Sequence, residues 1–241
     1  MPQAIIGNTH LSFSEDTKVI TQDMVSLYKD MVTHITIPEG VEAINEDAFC
    51  SFDKLIAVDL PDSLTTIGKG TFFQCTKLTS IIFPKSLTTI DRAAFAHCTE
   101  ITSVTFPATA SLTNIETGAF AFCTGLTSVT FPEGLTTIEA EAFRDCTGLT
   151  SITFPDSLKG ICSYAFAFCT GLTSISFPAT ASLTTIEDKA FAFCTGLTSV
   201  TFPDGLTIIE EGAFAHCEEL TEITFPDSLT TIGFEAFSGC Y

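Results

Sequence analysis

Proline recurs along this chain at a nearly constant interval, and that interval constrains the fold more than any other feature. After Pro2, nine prolines follow at spacings of 23 or 25 residues: Pro38, Pro61, Pro84, Pro107, Pro132, Pro155, Pro178, Pro203 and Pro226. The two-residue insertions fall within the same text, at 107–112 and 178–183. A fixed period of roughly 20–50 residues indicates a stack of similar structural units.

Residues 126–146 show the residue pattern of one repeat unit. Val129 and Phe131 alternate with polar residues, which is typical of a half-buried strand. Pro132 then ends the strand because it has no N–H for a ladder. A second extended piece is expected at 135–138. The apolar residues that close the unit have helical spacing, which predicts one inward-facing turn of α- or 3₁₀-helix.

No unit of this size buries its apolar side alone, so neighbouring units must stack and each inward position becomes a ladder. The isoleucine ladder is predicted to be Ile44, Ile67, Ile90, Ile115, Ile138, Ile161, Ile186, Ile209 and Ile232. The phenylalanine ladder is predicted to be Phe49, Phe72, Phe95, Phe120, Phe143, Phe166, Phe191, Phe214 and Phe237. These ladders explain much of the unusual content of 23 Phe and no Trp.

The repeated pattern is L-x-x-I-x-F-P-x-x-L-x-x-I-x-x-x-A-F-x-x-C, and it covers residues 32–240. It resembles the BspA-like, or Treponema pallidum type, leucine-rich repeats. The resemblance implies a repeat solenoid, a β-rich right-handed superhelix with short strands and helical or 3₁₀ turns. Because that family is associated with adhesion, host interaction and protein binding, the resemblance also implies a binding role. It carries no set of invariant functional residues.

The chain is predicted to divide into an N-terminal capping segment, 1–31, and a solenoid of nine repeats, 32–241, of which the last is truncated. Residues 5–13 are expected to add a strand or hairpin. An amphipathic helix is expected from Thr21 to Asp30, with Thr21 as its N-cap. Its apolar positions follow i, i+3, i+4, i+7: Met24, Leu27, Tyr28 and Met31. The last repeat has no evident cap, so we expect either that the chain is cut from a longer protein or that its open edge associates with a second copy.

The net charge of the chain limits the classes of partner that it can bind. The formal net charge of −19 disfavours nucleic acid and anionic membranes, which attract basic surfaces, and favours a protein with a basic surface. No apolar run has the length of a membrane span. No basic region followed by an apolar segment opens the chain, so synthesis in the cytoplasm is expected, with non-classical export or delivery to a host cell as the alternative.

The sequence predicts no catalytic residue, no metal site and no cofactor. Short metal-binding cysteine spacings are absent, and an in-phase cysteine column is expected to pack inward as small apolar groups. That column is Cys75, Cys98, Cys123, Cys146, Cys169, Cys194, Cys217 and Cys240. Cys50 and Cys162 lie off it and are expected to be more accessible. His97 and His216 precede column cysteines, but they are expected to face outward, away from the thiols.

Two surfaces are candidates for partner binding. The first is a flank of partly exposed aromatic residues, either interface anchors or seals between units: His97, Phe122, Phe168, Phe193 and His216. The second is the hydroxyl-rich outer side of the strands, either a binding strip or ordinary exposed strand: Ser128, Thr130, Ser151, Thr153, Ser174, Ser176, Ser199 and Thr201. Acidic residues after the ladder isoleucines are expected to stabilise the free N–H groups of the following turns.

A complete repeat without a catalytic constellation favours a non-catalytic scaffold for protein–protein interaction that binds through its concave sheet and the aromatic flank. The resemblance implies that the scaffold is of host-interacting or effector type. One alternative is a surface adhesin fragment that binds extracellular matrix. Another is an ice-binding solenoid, since regular hydroxyl lattices can order water.

Overall fold

The backbone winds through turns of 23 or 25 residues, and each turn contributes one strand to each of two faces. The computed structural model describes residues 3–4 and 10–241. The first face is made of three-residue strands: His10–Ser12, His34–Thr36, Ala57–Asp59, Ser80–Ile82, Ser103–Thr105, Ser128–Thr130, Ser151–Thr153, Ser174–Ser176, Ser199–Thr201 and Glu222–Thr224. The second is made of two-residue strands: Val19–Ile20, Ala43–Ile44, Thr66–Ile67, Thr89–Ile90, Asn114–Ile115, Thr137–Ile138, Gly160–Ile161, Thr185–Ile186, Ile208–Ile209 and Thr231–Ile232.

Strands of successive turns pair in parallel, and equivalent residues lie side by side. Ser103 pairs with Ser128, and Ser151 pairs with Ser174. The three-residue face is interrupted twice, after Ala57–Asp59 and after Ser128–Thr130. The parallel, in-register stack confirms the predicted β-rich repeat solenoid.

The core is a set of ladders that run along the stack. The isoleucine ladder is buried from Ile44 to Ile209. Neighbouring rings of the phenylalanine ladder stack with centroids 5.1–5.4 Å apart. Phe131, which precedes a repeat proline, meets this ladder edge-on, with its ring 5.7 Å from that of Phe143. The other phenylalanines that precede a repeat proline and make such a contact are Phe83, Phe154, Phe202 and Phe225. Such offset and T-shaped contacts are the favoured geometries of aromatic pairs.

Seven of the eight column cysteines are buried inside the stack beside these rings, and Cys240 in the last turn is partly buried. Each thiol donates a hydrogen bond to the carbonyl of the ladder phenylalanine one turn earlier, with Sγ···O distances of 3.2–3.3 Å. All ten cysteines of the chain are free thiols. The column cysteines therefore pack against the core, and their thiols donate to a backbone carbonyl in eight of the turns.

The predicted helical turn takes the form of consecutive i→i+3 hydrogen-bonded turns. In one repeat, the backbone N–H of Ala142 donates to the carbonyl oxygen of Glu139. In the same way, the N–H of Arg144 donates to the carbonyl of Glu141, and that of Cys146 to the carbonyl of Phe143. Glu141 and Asp145 have φ angles of 60° and 58°, in the left-handed region, and these residues interrupt a regular helix. The apolar residues between them still face inward.

Before residue 32, the chain adds one further rung to both faces. His10–Ser12 pairs with His34–Thr36, and Val19–Ile20 pairs with Ala43–Ile44. Gln3–Ala4 pairs antiparallel with the first of these strands. Within the predicted hairpin region 5–13, residues 5–9 lie outside the described part of the chain. The domain boundary at residue 32 stays a prediction.

The N-terminal helix differs from the expected one. An α-helix spans Gln22–Val25 and a 3₁₀-helix spans Ser26–Tyr28. Thr21 is the N-cap residue, but its side chain makes no capping hydrogen bond.

The predicted inward face of this helix is wrong at Leu27 and Met31, which are 85% and 56% exposed. Val25 and Val32 are buried instead, while Met24 and Tyr28 pack partly against the core. The change to 3₁₀ geometry after Val25 alters the number of residues per turn and so rotates the apolar face.

At the other end, the last turn leaves apolar side chains exposed: Phe225, Ile232, Phe234 and Tyr241. Among the described residues, no helix combines the length and apolar character that crossing a bilayer requires.

Candidate functional site

The residue before each column cysteine has a left-handed backbone conformation. Phe122, Phe168 and Phe193 have φ angles of 60°, 63° and 62°, and the flanking histidines are similar. This conformation costs an L-residue about 1–2 kcal/mol. Backbone hydrogen bonds to the next turn hold this conformation in place. The Phe122 N–H donates to the carbonyl oxygen of Arg144, and the Phe168 N–H donates to that of Ala192. Side chains at this position therefore project from the same side of every turn.

Five of these side chains form the aromatic flank: His97, Phe122, Phe168, Phe193 and His216. His97 stacks on Phe122 with centroids 4.5 Å apart and planes 2° apart. Phe193 lies 4.7 Å from both Phe168 and His216, again in stacked geometry. Aromatic pairs contribute about 0.5–1.5 kcal/mol beyond area burial, a magnitude that offsets much of the left-handed backbone cost.

The flank is partly open to solvent. Phe122 and Phe168 are half-buried, Phe193 is 37% exposed and His216 is exposed. Each ring of the flank thus stacks on a neighbouring ring while part of its surface stays exposed. The rings contact one another across adjacent turns, while their alternative role as interface anchors stays a prediction.

Asp145 interrupts the flank, and Arg144 fills the resulting gap. The Arg144 guanidinium carbon lies 5.9 Å from the Phe122 ring centroid and 5.3 Å from that of Phe168. Tyr164 lies beside the same group at 5.9 Å. Arg144 carried no role in the sequence-based predictions, because its significance depends on aromatic rings from the turns before and after its own.

The hydroxyl-rich strip has the predicted outward orientation on the three-residue strands. Ser199 is partly buried, and the other seven residues named above for this strip are exposed. The strip is divided where Ser128–Thr130 and Ser151–Thr153 are not paired in one sheet. A shallow cavity of about 330 Å³ lies there, with Phe131 and Phe154 among its lining residues.

His97 and His216 do not pair with the column cysteines that follow them. The Cys98 thiol donates to the Phe72 carbonyl inside the stack, whereas His97 stacks on the surface. Cys217 and His216 are separated in the same way. In the described part of the chain, no group of three or more His, Cys, Asp or Glu residues is arranged to hold a metal ion.

Two of the acidic residues after the ladder isoleucines, Asp91 and Glu187, accept hydrogen bonds from backbone N–H groups. Asp91 accepts from the Arg92 N–H at 2.6 Å, and Glu187 accepts from the Ser163 N–H at 3.0 Å. Burial, with Glu139 and then Asp91 nearby, raises the pKa of Glu116 above its ordinary value. The five acidic residues at this repeat position therefore add negative charge to one side of the solenoid.

Comparisons with known proteins agree with this geometry. The family model described as "BspA type Leucine rich repeat region (6 copies)" matches residues 20–147 and 113–241. A search of the curated proteins found no match.

Among solved structures, a leucine-rich-repeat protein of T. pallidum is 25% identical with a TM-score of 0.63, over 82% of this chain and 87% of that one. A leucine-rich cell surface protein of Faecalibacterium prausnitzii A2-165 is 25% identical with a TM-score of 0.53, over 97% of this chain and 86% of that one. With both matched segments of the family model spanning nearly all of the repeats, the chain belongs to the BspA-type leucine-rich-repeat family.

Proposed function

We propose that this protein is a non-catalytic scaffold that binds another protein through the aromatic flank. The observation that carries the proposal is the row of partly exposed rings at one repeat position of five turns, interrupted once at Asp145. Aromatic side chains that are already ordered lose little conformational entropy on binding, and they are frequent anchors of protein interfaces.

Charge supports a partner with a basic surface. Residues 107–241 contain 16 Asp and Glu but only three Lys and Arg. Of these carboxylates, only Glu141 and Asp145 take part in ion pairs, both with Arg144. The remaining negative charge steers a basic protein towards this half of the solenoid.

A cell surface is the second setting that we propose, since the similar F. prausnitzii protein is described as a cell surface protein. The partner there would be an extracellular matrix or host protein, and the role would be adhesion. Self-association through the exposed apolar residues of the last turn stays a prediction.

The experiment is a quantitative capture with three proteins at low and moderate salt. The first is wild type, the second is Phe122→Ala/Phe168→Ala/Phe193→Ala, and the third is Ser151→Ala/Thr153→Ala/Ser174→Ala. We expect the aromatic variant to lose about 100-fold in affinity, because each interface anchor contributes more than about 1 kcal/mol. The hydroxyl variant is expected to bind like wild type.

Circular dichroism of each variant controls for folding. A partner that the aromatic variant retains and the hydroxyl variant loses would contradict the proposed site. Loss of binding in moderate salt would identify the carboxylates as contributors.

A further inference from the structure

The gap in the aromatic flank is built like a binding site for a guanidinium group. The rings of Phe122, Phe168 and Tyr164 surround the Arg144 guanidinium at 5.3–5.9 Å from its central carbon. Cations are attracted to aromatic faces within about 6 Å of the ring centroid. The three rings come from three positions in two turns, so the gap exists only in the stacked solenoid.

Two carboxylates complete the site. Arg144 Nη1 donates to Glu141 Oε2 at 3.2 Å, and Arg144 Nε donates to Asp145 Oδ2 at 3.2 Å. Aromatic faces together with carboxylate acceptors suit the flat, multiply donating guanidinium better than the compact ammonium of lysine.

Arg144 is held by contacts that leave it exchangeable. Its side chain is 32% exposed, and its ring distances lie near the outer limit of a cation–π contact. Alanine occupies the same repeat position in five other turns: Ala96, Ala121, Ala167, Ala192 and Ala215. The fold of a turn therefore does not require arginine at this position.

We propose that Phe122, Phe168, Tyr164, Glu141 and Asp145 form an arginine cage, and that Arg144 occupies the cage until an arginine side chain of a basic partner displaces it. The proposal rests on the proposed function, because it specifies the chemistry by which the flank recognises its partner. The excess of carboxylates in residues 107–241 favours a cationic occupant. The outgoing Arg144 returns to solvent, so the partner's neighbouring contacts provide the net affinity.

Arg144→Ala tests the cage because it removes the internal competitor. The probe is the peptide acetyl-Gly-Arg-Gly-amide, titrated while the ring resonances of Phe122 and Phe168 are followed by NMR. We expect the variant to bind the peptide at least about tenfold more tightly than wild type, since an internal occupant that fills the cage about 90% of the time lowers apparent affinity by that factor. The citrulline peptide, which has the same shape without the charge, is expected to bind neither protein.

Two further variants keep the test decisive. Arg144→Ala/Phe168→Ala is expected to lose the gained affinity, and Arg144→Gln, which retains much of the side-chain stem, serves if the alanine variant does not fold. Equal affinities of wild type and Arg144→Ala, or equal binding of the arginine and citrulline peptides, would overturn the cage. If the triple phenylalanine variant loses its partner while Arg144→Ala gains no arginine affinity, the cage is wrong and the proposed function stands.

Discussion

Phe143→Ala is expected to reduce the free energy of unfolding by about 3–5 kcal/mol, the usual cost of removing a buried phenylalanine ring. Phe143 is fully buried and stacks on Phe120 at 5.3 Å and on Phe166 at 5.2 Å. A cavity at this point removes ring contacts with both neighbouring turns, so the coupling on which a solenoid depends is lost on two sides.

Urea unfolding followed by circular dichroism measures this loss, and Phe237→Ala is the matched control. Phe237 occupies the same ladder position in the last turn, where it is partly buried and stacks on one ladder ring, Phe214. We expect its loss to be less than half that of Phe143→Ala. Equal losses would contradict a ladder stabilised by contacts on both sides.

The thiols are expected to react at widely different rates with 5,5′-dithiobis(2-nitrobenzoate). Burial, followed by the charges of Glu187 and Glu139, raises the pKa of Cys162 to about 12 from an ordinary 9.0. At pH 8 the thiolate fraction of Cys162 is then about 1000-fold smaller than that of a thiol with the ordinary pKa. The more basic thiolate is also the stronger nucleophile, which increases its reaction rate about 20-fold. Cys162 should therefore react about 50-fold more slowly than an ordinary accessible thiol, and about tenfold faster for each unit rise in pH.

The column cysteines provide the internal comparison. Burial raises the pKa of Cys123 and Cys169 to about 12, and both are inaccessible to the reagent. They should react only as the chain unfolds, whereas half-buried Cys50 should react first. Glu139→Gln/Glu187→Gln should accelerate Cys162 severalfold. Rapid modification of all ten thiols in the native protein would contradict the packed column.

The repeat pattern was sufficient to predict the inward ladders. In a stack, one sequence phase corresponds to one position in space, so a side chain that recurs in phase, such as Ile138 or Phe143, must contact copies of itself. The same reasoning placed the column cysteines inside and Phe122, Phe168 and Phe193 at the surface.

Features that depend on a single turn were not predictable in this way. The face of the N-terminal helix was misassigned because Leu27 follows a change from α to 3₁₀ geometry that leaves no mark in the apolar spacing. Arg144 was missed because its contacts require the left-handed backbone that directs Phe122 and Phe168 outward. A repeat pattern records what recurs, whereas the Arg144 contact occurs at one position in the stack.

Site-specific photo-crosslinking tests the central claim most directly, namely that a protein partner binds on the aromatic flank. p-Benzoylphenylalanine would replace, one at a time, Phe193 on the flank, Thr201 on the three-residue strands and Ile208 on the two-residue strands. We predict that the partner forms its principal adduct from position 193, at least about fivefold over the other two positions, as expected for a buried interface anchor. An adduct from position 201 or 208 with none from 193, or no adduct from any of the three, would contradict the account.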